Sequence, residues 1–316
     1  MRRWGLTVMM LSVVASLWGG SPERLQKKPT CHCSVAYTKK TFQKLLKATG
    51  LKETKDLNEI ILLTQGKVPG YQGWLRTGER WDKQGHEAIL PFENPEITRL
   101  LQRLRLEKKK RPRRRHYPVA LVLGASGPSM EMRLLYLKEL LSDKKSPVKV
   151  EEVYFLTGER PLAPDLEADW MGKLEQMKRP QTETEIAQVM IDENKAFLRS
   201  HGVKEVKVIS TPMLPCEGGK KMRRPNTGDT FETLKQQQAA GQPLVKSGKS
   251  ILVVSNQPYV SYQREFARTY LLPQTSRIDV VGNAAAEKKP NWLLLDSLAR
   301  TLYQHQQHCT VCCPDA

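Results

Sequence analysis

Ser255-Asn256-Gln257-Pro258 places three hydrogen-bonding side chains where the pattern of the chain changes. Before them, Ile251-Leu252-Val253-Val254 is a short apolar run rich in β-branched residues, as expected of a strand buried on both faces. After them, Tyr259, Tyr262, Phe266 and Tyr270 recur every three to four residues with charges between, the period of an amphipathic helix. Ligands of open α/β sheets bind outside the carboxyl ends of the strands. Ser255, Asn256, Gln257 and Tyr259, with Arg264 later in the same helix, are therefore candidates to contact one. Ser, Asn and Pro also form ordinary turns and caps, which accounts for the same residues without any ligand.

Three further joints have the same character. Gly124-Ala125-Ser126-Gly127-Pro128-Ser129 links the apolar run 119–123 to a helical pattern over 130–141. A glycine turn entering a helix presents backbone N–H groups and the positive end of the helix dipole, which suits a phosphate or carboxylate and makes Gly124 and Ser126 candidates. The turn has neither G-x-G-x-x-G spacing nor a phosphate-loop lysine. Thr157-Gly158-Glu159-Arg160-Pro161 closes the run 150–156, and Asn226-Thr227-Gly228-Asp229-Thr230 precedes a helix over 231–240. Gly158, Glu159, Arg160, Asn226, Thr227 and Thr230 join the candidates, although Asn, Gly and Asp form turns and Asp229 or Thr230 can cap. Thr182 followed three residues on by Glu185 is a capping box, a complete structural account of that glutamate. The chain contains no G-x-S-x-G elbow and no H-x-x-x-H metal pair, so no motif names a catalytic engine or a cofactor.

The elements that must position these joints are five short apolar runs, 119–123, 150–156, 206–209, 251–254 and 278–281, alternating with helical patterns that end in a helix over 292–304. Such alternation predicts an α/β fold with a doubly wound, mainly parallel five-stranded sheet and right-handed crossovers. Before it, 41–48, 57–63 and 97–106 read as an N-terminal helical extension. The glycine-punctuated loop Gly70-Tyr71-Gln72-Gly73-Trp74-Leu75-Arg76-Thr77-Gly78-Glu79-Arg80-Trp81 lies between the second and third of these pieces. Its aromatics suit either a lid on a core or a platform for a planar ligand. The expected divisions are 1–20, 21–117 for the extension and basic linker, 118–308 for the sheet domain, and a cysteine-containing tail over 309–316.

Met1-Arg2-Arg3, an uncharged stretch over 4–18 and the small residues Gly19-Gly20-Ser21 have the layout of a secretory signal. An uncleaved anchor and a cytosolic N-terminal helix are the alternatives, and the signal or the anchor implies export to the periplasm or cell envelope. Cys31 and Cys33 near one end, with Cys309, Cys312 and Cys313 near the other, suit disulfides in an oxidising compartment, with a zinc site as the second possibility. Lys and Arg exceed Asp and Glu by 51 to 33, a net charge of +18, which favours a polyanionic neighbour. Much of the excess lies in Lys108-Lys109-Lys110-Arg111-Pro112-Arg113-Arg114-Arg115, a solvated linker or a contact for an anionic membrane surface. No zinc finger, aromatic RNA motif or glycine-lysine loop accompanies it, which argues against a nucleic-acid module.

The order of joints is more specific than any one of them. It comprises a glycine turn, Arg133 in the next helix, a strand ending in Thr157-Gly158, Thr184-Glu185 opening a helix, Asn226-Thr227 with Thr230, and a strand ending in Ser255 before an aromatic-rich helix. This order resembles the SanA/ElyC/YdcF type, a bacterial domain family linked to cell-envelope integrity, over about residues 118–281. The resemblance implies a Rossmann-like sheet whose turns converge on one polar pocket. Tyr259 falls where that family has a histidine, Arg264 comes late, and Glu159-Arg160 interrupts the expected glycines, so no acid-base histidine carries over.

Three functions follow as expectations. The first is an envelope protein that binds a small anionic or nucleotide-like ligand. The second is a hydrolase or group transferase with Glu185 as base and Asn226 and Ser255 positioning substrate. The third is a basic binder of membrane surfaces or nucleic acid, resting on charge alone.

Overall fold

The five apolar runs become the strands of one sheet, with helices in the alternating places. In chain order the elements are α1 (Lys40–Ala48), α2 (Leu57–Thr64), α3 (Pro95–Leu104), β1 (His116–Leu123), α4 (Gly127–Ser142), β2 (Lys149–Gly158), α5 (Glu183–Ser200), β3 (Glu205–Thr211), β4 (Leu214–Pro215), β5 (Met222–Arg223), α6 (Thr227–Ala239), β6 (Ser250–Asn256), α7 (Val260–Leu271), β7 (Arg277–Asn283) and α8 (Asn291–Cys312). The structure is a computed structural model that describes residues 36–76, 92–162, 167, 170–172, 179–216, 221–240, 249–271, 277–285 and 287–312. The expected signal peptide or anchor over 1–20 lies outside the described residues, as do Cys31, Cys33, Cys313 and Trp81. The described residues all belong to one compact unit within Cys31–Ala316. Among the described residues no helix is long and apolar enough to cross a membrane.

The sheet order is β3-β2-β1-β6-β7 and every pairing within it is parallel, as in a Rossmann-like fold. Central β1 aligns Val122 with Phe155 on one side and with Val254 on the other. From β1 the chain builds outward through β2 to β3, then returns to lay β6 on the other side of β1. That reversal makes the β1–β6 boundary the switch point, where helices leave the sheet toward opposite faces and open a crevice at the carboxyl edge. One face carries a core built on Leu137, Phe155, Ile186 and Met190, and the other a core built on Leu121, Phe231, Val253 and Val260.

The N-terminal helices complete their core with the last helix. Phe42, Leu45, Ile60, Ile97 and Leu101 pack with Leu295, Leu298 and Leu302 of α8. The aromatic loop serves this core as a lid: Trp74 is buried, lies edge-on to Phe42 at 5.8 Å, and donates its indole N–H to Thr49 Oγ1 at 3.0 Å. Asp56 and Asn94 cap α2 and α3, accepting from Glu59 N–H at 2.8 Å and Ile97 N–H at 3.0 Å. The helix expected to reach residue 106 stops at Leu104 because Arg105 takes a left-handed φ of 58°. The opposite correction applies to the last helix: no Gly or Pro lies between Gln304 and Cys312, so α8 continues into the expected tail as far as Cys312.

The basic run is a fitted part of the sheet rather than a free linker. Lys110 and Gly282 exchange N–H···O bonds of 2.8 and 3.2 Å, covering the edge of β7, and Arg113 N–H donates to Asp279 at 3.1 Å. Lys109 pairs with Glu139, and Arg111 with Asp143 at 3.0 Å. Burial, reinforced by Arg264 and Arg113, pulls the Lys110 pKa down to about 7.

Candidate functional site

At the end of β1 the chain turns through Gly124 and Ser126 into α4, whose Arg133 reaches back to fasten the turn. Its guanidinium donates to the carbonyls of Leu123 at 2.6 Å and Gly124 at 2.7 Å, and to Asn256 Oδ1 at 2.7 Å. One buried cation thus ties the β1 turn to the β6 joint. Beside it, Gly158 ends β2 and Arg160 follows, donating to Glu183 Oε2 at 2.6 Å and to Glu167 Oε1 at 3.0 Å. Gly158 N–H also approaches Glu183 Oε1 at 3.4 Å. Gly124 is required by this closeness: a Cβ there would stand 2.0 Å from Glu183 Oε1 and 2.6 Å from the Leu156 carbonyl.

Opposite, Asn226 caps α6 by accepting from Gly228 N–H at 2.7 Å. Asp229 accepts from Asn226 N–H at 2.7 Å and from Arg223 at 2.6 and 3.0 Å. Thr230 donates to the Thr227 carbonyl at 2.9 Å. Tyr259, just before α7, with Tyr262 and Gln263 inside it, forms a third wall, and Arg300 of α8 a fourth, its Nε donating to Asp296 at 3.0 Å. These elements enclose a cleft of about 550 Å³ at the carboxyl edge of the sheet.

Of the residues expected at a site, Gly124, Ser126, Gly158, Arg160, Asn226, Thr227, Thr230 and Tyr259 line this cleft. Ser255 lies behind it, fully buried and donating to Gln263 Oε1. Asn256 and Gln257 line an adjoining cavity of about 100 Å³, and Gln257 donates to the Lys108 carbonyl at 2.6 Å. Glu159 turns toward β3, accepting from Ser210 Oγ at 2.7 Å. Arg264 lies away from the lining, where burial lowers its pKa, with Glu265 opposing and Arg113 adding to the shift.

The carboxylate at the cleft is not the expected Glu185 but Glu183, two residues before it. Glu185 is exposed and outside the lining, its carboxylate accepting from Gln181 N–H at 2.6 Å while its own N–H donates to Thr182 Oγ1 at 3.2 Å. It is the capping glutamate, and Glu183 is the carboxylate that faces the cleft. The two side chains are about 200° apart around the helix, so a box that turns Glu185 outward sends Glu183 toward the sheet. The test is a pair of thermal melts: Thr182→Ala costs about 1 kcal/mol, whereas Glu185→Gln is nearly silent because glutamine also caps.

Glu183, Arg133, Arg224, Arg300 and Tyr262 enlarge the candidate set. Arg133 is already conspicuous in the order of joints. The Thr182 box is a local signal for Glu183, but Arg224 and Arg300 carry none. Among the lining residues, Arg133, Arg160, Arg224 and Arg300 face a single acidic side chain, Glu183. The N-termini of α4 and α6 open on the same space, adding partial positive charge. Burial pushes the Glu183 pKa up, opposed by Arg160 and the Gly158 N–H. Burial also works against the Arg160 charge, but Glu183 and Glu167 together raise its pKa. One guanidinium thus serves two carboxyls and stays charged, leaving Glu183 able to take a proton.

Elsewhere, Glu265, His305 and Cys309 lie in one line of contacts, with Glu265 Oε2 at 3.2 Å from His305 Nδ1. Cys309 Sγ is 3.6 Å from Nε2 and 4.0 Å from Nδ1, so it sits over the ring face rather than on the Nε2 lone pair, the wrong geometry for an activated thiol. Neither Cys216 nor Cys309 forms a disulfide. Among the described residues no group of three or more His, Cys, Asp or Glu side chains is arranged to hold a metal.

Comparisons with protein-family models, curated proteins and solved structures find no match.

Proposed function

We propose that this protein binds a small anionic or nucleotide-like ligand in the cleft at the switch point of its sheet, and that it does so as an exported protein serving the upkeep of the cell envelope. The convergence of Arg133, Arg160, Arg224 and Arg300 with two helix N-termini carries the first part. Tyr259 and Tyr262 add an aromatic wall against which a base or sugar can lie. The envelope role rests on the signal-like start and on the resemblance to the SanA/ElyC/YdcF type, both of which belong to the proposal.

A second function, hydrolase or group transferase, is favoured by Glu183. Buried, with its pKa raised, and lining the cleft beside Arg160, it would accept the proton of an attacking water or hydroxyl. A basic membrane-surface role is less favoured, because Lys109, Arg111 and Arg113 of the run are engaged with Glu139, Asp143 and Asp279.

Sulfate, which does not titrate near neutrality, tests the cleft by isothermal titration calorimetry. Its binding tightens as pH falls, because a protonated Glu183 no longer repels an anion. Glu183→Gln removes that dependence and binds sulfate on the order of tenfold more tightly at about pH 8. The double variant Arg224→Gln/Arg300→Gln binds it more weakly than wild type. Equal sulfate affinity in that variant and in wild type would overturn the proposal.

A further inference from the structure

Lys110 and Arg264 are not among the residues that line the cleft, yet the fold brings them to one face. Lys110 lies opposite Gly282 in an antiparallel bridge, and residues opposite one another on paired strands turn their side chains to the same face. At Gly282 that face is the one covered by α7, since a Cβ there would stand 2.5 Å from Val260 Cγ2. Arg264 follows Val260 by one helical turn, so it lies along the same side of α7. Lys109 turns the other way, to Glu139 of α4 and over the Tyr136 ring at 5.1 Å.

Neither cation is matched. Among the described residues the Lys110 ammonium and the Arg264 guanidinium have no hydrogen bond or ion pair, and neither group is sealed from solvent. The nearby carboxylates are committed elsewhere. Glu265, fully buried, holds Arg268 at 3.3 Å and His305 at 3.2 Å, while Asp279 accepts from the Tyr117 hydroxyl at 2.5 Å and the Arg113 N–H at 3.1 Å. After burial, Arg264 and then Arg113 are what lower the Lys110 pKa to about 7, with Glu265 and Asp279 opposing. Two like charges held at half-buried positions repel, and a doubly charged anion between them removes the repulsion.

We propose that Lys110 and Arg264 form an anion site outside the cleft, which takes the phosphate group of a small molecule between an ammonium and a guanidinium. The guanidinium fork takes two oxygens side by side and the ammonium a third. A phosphate ester offers three such oxygens and close to two negative charges, whereas a carboxylate offers two oxygens and one charge. An extended polyanion is less suited, because Lys109, Arg111 and Arg113 beside Lys110 are paired with Glu139, Asp143 and Asp279.

The experiment is trace acetylation of the full chain with acetic anhydride at about pH 8, where an amine with a pKa of about 7 is largely neutral and nucleophilic, read residue by residue by peptide mass spectrometry. Inorganic phosphate is compared with sodium chloride at matched ionic strength, which equalises screening. Phosphate should slow the labelling of Lys110 about tenfold, because a bound dianion returns the amine to its charged form, and should leave the exposed Lys67 unchanged. The slowing should vanish in Arg264→Gln, whose folding a thermal melt checks, and persist in Arg224→Gln/Arg300→Gln, which weakens the cleft. Equal labelling of Lys110 in phosphate and chloride overturns the site. So does a Lys110 left unlabelled in chloride, because a site for a phosphate ester must admit a reagent of that size. Slowing that survives in folded Arg264→Gln, or that is lost in the double variant, also overturns it. If Arg264→Gln does not fold, the wild-type comparison and the double variant decide.

Discussion

Arg160→Met lowers the stability of the folded protein by about 3–5 kcal/mol at neutral pH, the cost of leaving buried charge without its partner. Arg160 holds Glu183 at 2.6 Å and Glu167 at 3.0 Å, and all three side chains are nearly inaccessible to water. Methionine matches the stem and its packing but supplies no cation, so two carboxylates remain inside the fold. The pH dependence follows from Glu183, whose folded pKa already lies above the ordinary 4.5 because of burial. A carboxyl with a raised folded pKa holds its proton more strongly in the folded than in the unfolded state. Its contribution is therefore fully present below the unfolded pKa and is lost as pH rises through the folded one. Removing Arg160 raises that folded pKa further and steepens the loss. Urea unfolding at about pH 5 and about pH 8 should show the larger deficit at the higher pH. Equal deficits at the two pH values, or a deficit under about 1 kcal/mol, would mean that the carboxylates find water or another cation when Arg160 is gone.

Trp74→Ala is expected to cost about 3–5 kcal/mol through lost burial and the cavity left behind. The indole is buried, seated against Phe42, and bonded to Thr49. Its neighbours include α8, which also touches the region of the site, since Ser297 Oγ donates to the Pro258 carbonyl at 2.9 Å and Arg300 lines the cleft. The variant should therefore unfold in one cooperative transition at lower denaturant, with fluorescence and circular dichroism coincident. A separate early transition that leaves the midpoint of the sheet unchanged would show the helical extension to be independent.

The alternation of β-branched apolar runs with helical periods determined the five strands, their parallel class and the placement of Gly124, Gly158 and Asn226 at joints. Those are local properties, set by side-chain period and by which residues tolerate a turn. The Thr182 box likewise made a capping role for Glu185 legible. What no local pattern could decide is which groups meet. Two glutamates two positions apart on one helix differ by about half a turn, and only the packing of α5 against the sheet sends Glu183 into the cleft and leaves Glu185 outside it. Arg300 reaches that cleft because α8 folds back across the β6–α7 joint, and the basic run covers the edge of β7 because an unpaired strand edge requires backbone partners. The sequence by itself determined the five strands of the sheet, the helices that alternate with them and the joints between, because these depend on near neighbours along the chain, whereas the ends of α3 and α8 differ from it. The tertiary structure alone decided the charge pairing and the two-part cleft, because those depend on distances between residues as far apart as Arg133 and Asn256.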